Sequence, residues 1–112
     1  MTSSQQLPSV EVTALPDDVR PLDVREADEW AAGRAPTAVH IPMSELAGRL
    51  ADLPADEDPL YVICRSGGRS ARVVAYLVAQ GYPAVNVDGG MQAWATAGRP
   101  LQSDGPGQPE II

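Results

Sequence analysis

The sequence predicts an α/β fold: one domain with a central parallel five-stranded sheet and helices on both faces. The chain has 112 residues, a length typical of one small domain. Hydrophobic residues make up 44% of it and charged residues 21%, which is ordinary usage for a globular protein. Short apolar segments alternate with helical patterns, and the loops between them are short. This alternation favours parallel strands that are covered by helices.

Five short segments have the pattern of strands. The clearest is residues 60–63, which are apolar throughout, as expected for a strand covered on both faces. The other four are shorter or partly polar. The predicted strands are residues 10–12, 21–24, 38–41, 60–63 and 84–87.

Four segments have the pattern of helices. Acidic residues open the first, at residues 26–32, where the helix dipole favours them, and Gly33 ends it. The second covers residues 44–50, and the fourth covers residues 91–97. The third runs from the end of a glycine-containing loop to about Gln80. Its buried stripe is predicted to be Val73, Val74, Leu77 and Val78.

The domain is predicted to span residues 1–100. Residues 101–112 contain two glycines and two prolines, and we expect them to form a flexible C-terminal tail. The N-terminus lacks the charged and apolar regions of a secretory signal, and no apolar run is long enough to span a bilayer. The sequence therefore predicts a cytoplasmic protein.

Charge and cysteine content exclude several classes of function. The net charge is −7, which argues against nucleic-acid and anionic-membrane partners because these select basic surfaces. The chain has one cysteine, Cys64, and one histidine, His40. It can form no intramolecular disulfide and no multi-cysteine metal site. We expect no metal and no cofactor, and we expect His40 to be a packed or solvent-facing residue rather than a base.

Cys64 lies where an α/β fold binds ligands. It directly follows the apolar strand at residues 60–63 and precedes a helix, and ligands bind at the carboxyl ends of parallel strands. Gly67 and Gly68 allow the chain to bend tightly and to turn its N–H groups inward. Such N–H groups at the start of a helix form a cradle for an anion.

The loop is also locally positive. Three arginines (Arg65, Arg69 and Arg72) and no acidic residue lie between Cys64 and Val87. Positive neighbours and a helix start lower the pKa of a thiol, and the thiolate is the nucleophile. A buried structural cysteine is the alternative interpretation, but it would need neither two glycines nor flanking arginines.

Several motifs, in the correct order, resemble those of the rhodanese-like, single-domain sulfurtransferases. Together they extend over about residues 10–100. They are L-D-V-R at 22–25 with E-W at 29–30, A-V-H-I-P at 38–42, C-R-S-G-G-R-S at 64–70, and V-D-G-G at 87–90 followed by A-W at 93–94.

The resemblance implies a sulfur-transfer mechanism without a cofactor. Cys64 would attack a small anionic sulfur donor, thiosulfate or a persulfide, and hold the sulfur as a persulfide. Cyanide, a thiol or a sulfur-relay protein would then accept it. Arg65 and Arg69 would contact the anion. The implied substrate-binding residues are Arg65, Ser66, Gly67, Gly68, Arg69 and Ser70.

Four other side chains are predicted to support the fold around this loop. Asp23 and Arg25 flank a buried strand end, and we expect them to hold the loop through hydrogen bonds and an ion pair. Trp30 and Trp94 lie in helical patterns, and we expect both to be core anchors.

Two alternatives remain open on the sequence. The first is a sulfur-carrier or interaction module that delivers persulfide sulfur to a partner protein, because it would need the same loop. The second is a phosphatase or arsenate reductase of related fold. Those enzymes have five residues between the cysteine and the arginine, whereas Cys64 and Arg69 have four between them, and this loop contains no general acid.

Overall fold

The computed structural model describes residues 7–112, which contain one sheet of five parallel strands. The strands β1 to β5 are Ser9–Glu11, Leu22–Asp23, Val39–His40, Leu60–Ile63 and Ala84–Asp88. The helices α1 to α3 are Ala27–Ala32, Gly68–Ala79 and Gly90–Thr96. The strand order is β1-β5-β4-β2-β3, so β4 lies at the centre of the sheet. The predicted fold class is confirmed.

Helices cover both faces of the sheet. Side chains alternate between the two faces along a strand, and β4 divides its residues accordingly. Val62 packs in a cluster with Leu77 of α2, whereas Ile63 packs in a second cluster with Met91 and Trp94 of α3. All five side chains are at most 3% exposed, so each face has its own core.

The strand register brings three chain segments to one edge of the sheet. Asp23 of β2 pairs with Ile63 of β4, and Val62 pairs with Asn86 of β5. Since the strands are parallel, their carboxyl ends meet at this edge. The loop after β4 therefore lies between the residues that follow β2 and those that follow β5.

Helix α2 differs from its predicted form at two points. It begins at Gly68, inside the predicted loop. Its buried face is Ser70, Val73, Val74 and Leu77, whereas Val78 is 42% exposed. The spacing explains the wrong assignment of Val78: residues 70, 73, 74 and 77 already form one helical stripe, and Val78 lies at its margin.

The segment predicted as a helix at residues 44–50 forms two 3₁₀ turns instead, Met43–Gly48 and Leu50–Asp52. Its hydrogen bonds span three residues, as in the 2.9 Å bond from Arg49 N to Leu46 O. Gly48 opposes a regular α-helix here, and such short segments commonly adopt the tighter turn. Leu46 is buried as the pattern predicts.

Residues 101–112, predicted as a flexible tail, lie against the domain. Arg34 and Gln102 form an antiparallel bridge, and an ion pair of 2.8 Å joins Arg34 to Asp104. Further along, the amide of Glu110 donates to Ala32 O at 2.9 Å. The composition of the segment gave no sign of these contacts, because most of them use main-chain atoms.

The packing of this segment explains the glycine that follows α1. Gly33 has extended backbone (φ −178°), so its conformation does not demand glycine. A side chain at this position would collide with the main chain of Glu110. Ile111, which follows Glu110, packs against the core on the α3 face.

The prediction that the N-terminus lacks a secretory signal concerns residues 1–8. Residues 1–6 of these lie outside the described part of the chain. Within residues 7–112, no helix has the length and the apolar character that crossing a membrane requires.

Candidate active site

Cys64 directly follows the central strand, and its thiol lies inside a small cradle of hydrogen-bond donors. The residue is 1% exposed. Its sulfur accepts the backbone N–H of Gly67 at 3.1 Å and the hydroxyl of the buried Ser70 at 3.3 Å. Both donors come from the start of α2. The end of β4 thus positions the thiol, and the start of α2 provides the hydrogen-bond donors around it.

This cradle favours the thiolate. Burial raises the pKa of the Cys64 thiol, but hydrogen bonds from the Ser70 hydroxyl and from the amides of Ser70, Gly67 and Ser66 lower it further than burial raises it. The net pKa lies below the ordinary value of a cysteine. A lowered pKa was expected from the sequence, but hydrogen-bond donors rather than arginine charges are its main cause.

Gly67 makes the sharp bend that aims these donors at the sulfur. Its φ of 111° lies in the left-handed region, where side chains are strained. Its carbonyl accepts a 3.4 Å hydrogen bond from Asn86 Nδ2 of β5. Gly68 and Ser66 are exposed, and a side chain at Gly68 would meet nothing within 4 Å.

The start of α3 holds the main chain of the loop from one side. The amide of Met91 donates to Cys64 O at 2.8 Å, and the amide of Gln92 donates to Arg65 O at 3.0 Å. These are N–H groups that a helix start leaves without an intrahelical partner. Gly90 has a φ of 56°, and a side chain there would collide with the main chain of Cys64 and Arg65.

Helix α1 holds the loop from the other side through an ion pair. Arg69 donates from Nη1 to Glu29 Oε1 at 2.7 Å and from Nη2 to Glu29 Oε2 at 2.9 Å. Glu29 Oε1 also accepts the amide of Glu26, closing a capping box at the start of α1. The hydrogen bond from Arg69 holds the pKa of Glu29 below its usual range.

Arg65 is also occupied by protein acceptors. Its Nε donates to the main-chain oxygen of Ile112 at 2.9 Å. Its Nη1 and Nη2 lie 2.8 and 3.2 Å from the side-chain oxygen of Gln92 when that amide is oriented to accept them. All three guanidinium nitrogens therefore have partners within the domain.

Asp23 and Arg25 form a buried pair at the carboxyl end of β2, and the described hydrogen bonds of their side chains go to each other and to Gly33 rather than, as expected, to the loop. Both side chains are fully buried, and Arg25 contacts both carboxylate oxygens of Asp23, with Nη2 to Oδ2 at 2.8 Å. Arg25 Nη2 also donates to Gly33 O at 2.6 Å, which ties the end of α1 to β2. Since Arg25 is inaccessible to solvent, its geometry fits a positioning role.

The two tryptophans have different surroundings. Trp94 is 3% exposed and is a core anchor, as predicted. Trp30 is half-buried and lies between two polar residues: His40 stacks on it at 4.5 Å between ring centroids, and the Arg34 guanidinium lies 4.8 Å from its ring. The prediction that Trp30 is a core anchor was therefore wrong. Its place in a helical pattern could not distinguish core from a stack at the domain surface.

The structure brings Cys64, Gly67 and Ser70 of the predicted loop together at the sulfur, and Ser66 contributes there through its amide alone. The guanidiniums of Arg65 and Arg69 are held by other groups. Several residues that contact the loop were missed as site residues from the sequence, among them Glu29, Asn86, Met91 and Gln92. Opposite charge is the only signal that links Glu29 to Arg69, because they are 40 residues apart.

Known proteins are similar to this chain in sequence and in fold. Residues 10–97 match the rhodanese-like domain family. The chain belongs to this family. The rhodanese-related protein of Thermoplasma volcanium superimposes with a TM-score of 0.78 at 35% sequence identity, and the match covers 85% of this chain and 97% of that one.

Relatives of this rhodanese-like domain have names that concern sulfur transfer. The putative sulfurtransferase YtwF of Bacillus subtilis is 46% identical over 79 residues, 70% of this chain and 76% of that protein. The putative sulfur carrier protein YrkF of the same organism is 40% identical over 74 residues, 65% of this chain but only 40% of that protein. Further relatives named sulfurtransferase are 42% and 35% identical. Together they support a sulfurtransferase of rhodanese type.

Proposed function

We propose that this rhodanese-like domain is a sulfurtransferase that carries sulfur as a persulfide on Cys64. The donor is thiosulfate or a persulfide, and the acceptor is cyanide or a thiol. One observation carries the proposal: the Cys64 sulfur accepts hydrogen bonds from the Gly67 amide and the Ser70 hydroxyl, at 3.1 and 3.3 Å. These donors stabilise a nucleophilic thiolate at the carboxyl edge of the sheet.

In the first step the Cys64 thiolate attacks the sulfane sulfur of the donor. A new S–S bond forms on Cys64 while the donor's bond to that sulfur breaks. The leaving group departs with the electron pair, as sulfite from thiosulfate or as a thiolate from a persulfide. The product is the Cys64 persulfide anion, a covalent intermediate.

In the second step an acceptor removes the outer sulfur. Cyanide or a thiolate attacks it, the S–S bond of Cys64 breaks, and the thiolate of Cys64 is restored. Thiocyanate or a new persulfide leaves. The amides of Ser66, Gly67 and Ser70 surround the sulfur and can accept the charge of the persulfide anion, so the same donors serve both steps.

The remaining loop residues and the buried pair act on this chemistry through position. Gly67 provides the bend and Gly68 opens α2, while Arg65 and Arg69 fasten the loop to its neighbours. Asp23 and Arg25 support the loop from below by holding β2 to the end of α1. We expect no cofactor in either step, since the sulfur atom itself carries the reaction.

A sulfur-carrier module is the second candidate. The likeness to the sulfur carrier protein YrkF favours it. Cys64 is also the only cysteine, so the chain has no second thiol to resolve its own persulfide, and the acceptor must come from outside. A carrier would accept sulfur and pass it to a sulfur-relay protein while turning over slowly on free cyanide or small thiols. Steady-state turnover with cyanide separates the two candidates.

The structure offers no support for the anion-hydrolysis alternative. The arginine that would bind phosphate, Arg69, is held by Glu29, and we expect no hydrolysis of an aryl phosphate. We also propose that the protein acts in the cytoplasm, because this chemistry needs a reduced thiol.

The decisive experiment is an intact mass spectrum after incubation with thiosulfate and, separately, with a persulfide. Wild type is expected to gain one sulfur atom that cyanide removes, and Cys64→Ser is expected to gain none. Ser66→Ala is the matched control, because only its backbone N–H contributes at the sulfur. No added mass with either donor would overturn the proposal.

A further inference from the structure

The charges around Cys64 differ from those that the sequence implies. The loop sequence, with Arg65 and Arg69 and no acidic residue, predicts a cationic anion site. In the folded domain each guanidinium already has partners, and Glu29 from α1 brings a carboxylate 2.7 Å from Arg69 Nη1. The carboxylate that pairs with Arg69 therefore comes from another element, and an argument from the loop sequence alone overlooks it.

The Arg69–Glu29 ion pair has the geometry of a strong interaction. It has two nearly parallel hydrogen bonds, the geometry in which an arginine binds a carboxylate most strongly. Glu29 is 12% exposed at its side chain, and its Oε1 is also fixed by the amide of Glu26. The lowered pKa of Glu29 keeps the carboxylate charged throughout the neutral range. A substrate anion would have to compete with this carboxylate for the charge of Arg69.

Arg65 is closed to a substrate in a different way. The main-chain oxygen of Ile112 and, with its amide oriented to accept, the side chain of Gln92 contact its three nitrogens, so a substrate would compete with these hydrogen bonds. The third arginine, Arg72, lies on α2 in the lining of a separate cleft of about 210 Å³ with Met43 and Tyr76. Uncharged N–H and hydroxyl groups are therefore the donors at the sulfur itself.

We propose that this cradle selects persulfides over the thiosulfate dianion as sulfur donors, and that Glu29 sets this selectivity by holding Arg69. The inference rests on the proposed function of Cys64. Attack of a thiolate on thiosulfate brings a single and a double negative charge together, and the two loop arginines that could offset the repulsion, Arg65 and Arg69, are already paired in the described structure. A persulfide anion carries one negative charge instead of two, and the step balances without a proton: Cys64–S⁻ and R–S–S⁻ give Cys64–S–S⁻ and R–S⁻.

The test is the single-turnover rate at which Cys64 gains sulfur, followed by intact mass. The donors are thiosulfate and the persulfide of 2-mercaptoethanol, made in place from its disulfide and sulfide, with sulfide alone as the blank. Wild type is expected to load from the persulfide about tenfold faster or more at equal donor concentration. Glu29→Gln keeps the shape and the contact to the Glu26 amide but frees the charge of Arg69, and it should raise the thiosulfate rate about fivefold while changing the persulfide rate less.

Glu45→Gln is the matched control, because it removes a carboxylate that is paired with an arginine on an exposed 3₁₀ turn. It should leave the ratio of the two rates unchanged. Equal loading of wild type from both donors, or an unchanged ratio in Glu29→Gln, would overturn the donor selectivity and leave the proposed function standing. No loading from either donor would overturn the proposed function itself.

A second measurement needs no variant. Salt screens repulsion between like charges, so the wild-type thiosulfate rate should stay constant or rise with ionic strength. A rate that falls with added salt would mean that an unpaired cation attracts the dianion, and it would overturn the proposal. The thiosulfate rate of Glu29→Gln is expected to fall with salt, since its Arg69 is unpaired.

Discussion

The two sides of the cysteine loop are fastened by different kinds of contact. On the α3 side, amides of Met91 and Gln92 donate to loop carbonyls, so main chain binds main chain. On the α1 side, the Glu29 and Arg69 side chains bind each other. The first kind depends on backbone shape and is insensitive to most substitutions. The second depends on two particular side chains, and pH, salt or a single substitution can change it.

The largest expected effect comes from removing the support beneath the α1 side. Asp23→Ala leaves the Arg25 guanidinium fully buried without its carboxylate, and should lower the free energy of unfolding by about 3–5 kcal/mol. Urea unfolding measures it. The control is Asp52→Ala, which removes a surface partner of Arg49 and should produce no measurable change. Equal stability of the two variants would show that the buried pair does not support this side.

Breaking the α3 side should have the next largest effect. Gly90→Ala places a methyl group against the main chain of Cys64 and Arg65, in a left-handed conformation that alone costs about 1–3 kcal/mol. Gly98→Ala has the same kind of conformation (φ 76°) but an open surrounding, so it is the matched control for strain. We expect Gly90→Ala to lose more stability in urea than Gly98→Ala and, unlike it, to lose sulfur loading at Cys64. Equal stability and equal sulfur loading of the two variants would contradict the close packing of Gly90 against the main chain of Cys64 and Arg65.

Between the two sides, Ser70 tests whether hydrogen bonds set the reactivity of the thiol. Ser70→Ala removes the hydroxyl donor, which destabilises the thiolate and should move the pH midpoint of Cys64 alkylation upward by about one to two units. Ser66→Ala, whose hydroxyl makes no hydrogen bond to the sulfur, should leave the midpoint in place. A midpoint that does not move in Ser70→Ala would return the cause of the lowered pKa to the arginine charges.

The smallest expected effect is that of the α1 ion pair on stability. The folded pKa of Glu29 is lowered, so its contribution is complete above the unfolded pKa of a glutamate, about 4.3, and is lost as the pH falls through the lower folded value. Glu29→Gln should cost about 0.5–1 kcal/mol at neutral pH, within the range for partly exposed pairs. Urea unfolding of both proteins at neutral pH and near pH 3 should show the difference shrinking in acid. A stability difference between the two proteins that grows in acid would contradict the lowered pKa of Glu29 in the folded state.

Local patterns were sufficient to predict the sheet but not the irregular segments. The apolar run at residues 60–63 identified the central strand, because a strand that is covered on both faces is apolar along its whole length. Val78 was assigned to the wrong face because several apolar residues competed for one stripe. The contacts of residues 101–112 were missed because they are made largely by main-chain atoms, which every sequence possesses.

The candidate site likewise has a part that the local sequence predicts and a part that it does not. Cys64, Gly67 and Ser70 are close in sequence, so their grouping could be predicted from the motif alone. Glu29 lies 40 residues before Arg69, and a positive patch drawn from residues near Cys64 could not include it. The local charge pattern therefore overstated the positive field at the sulfur, because the neutralising group comes from another element.

The cysteine loop takes its two fastenings from chain segments that precede and follow it, Glu29 on one side and residues 90–92 on the other. The loop is consequently held by long-range contacts, whose formation carries a loop-closure cost. A ribosome-bound chain that has emerged only as far as α2 has the cysteine but not the α3 amides that hold its carbonyl. The hydrogen-bond donors at the sulfur belong to α2 itself, but the main-chain support of the loop is complete only when the last helix has docked.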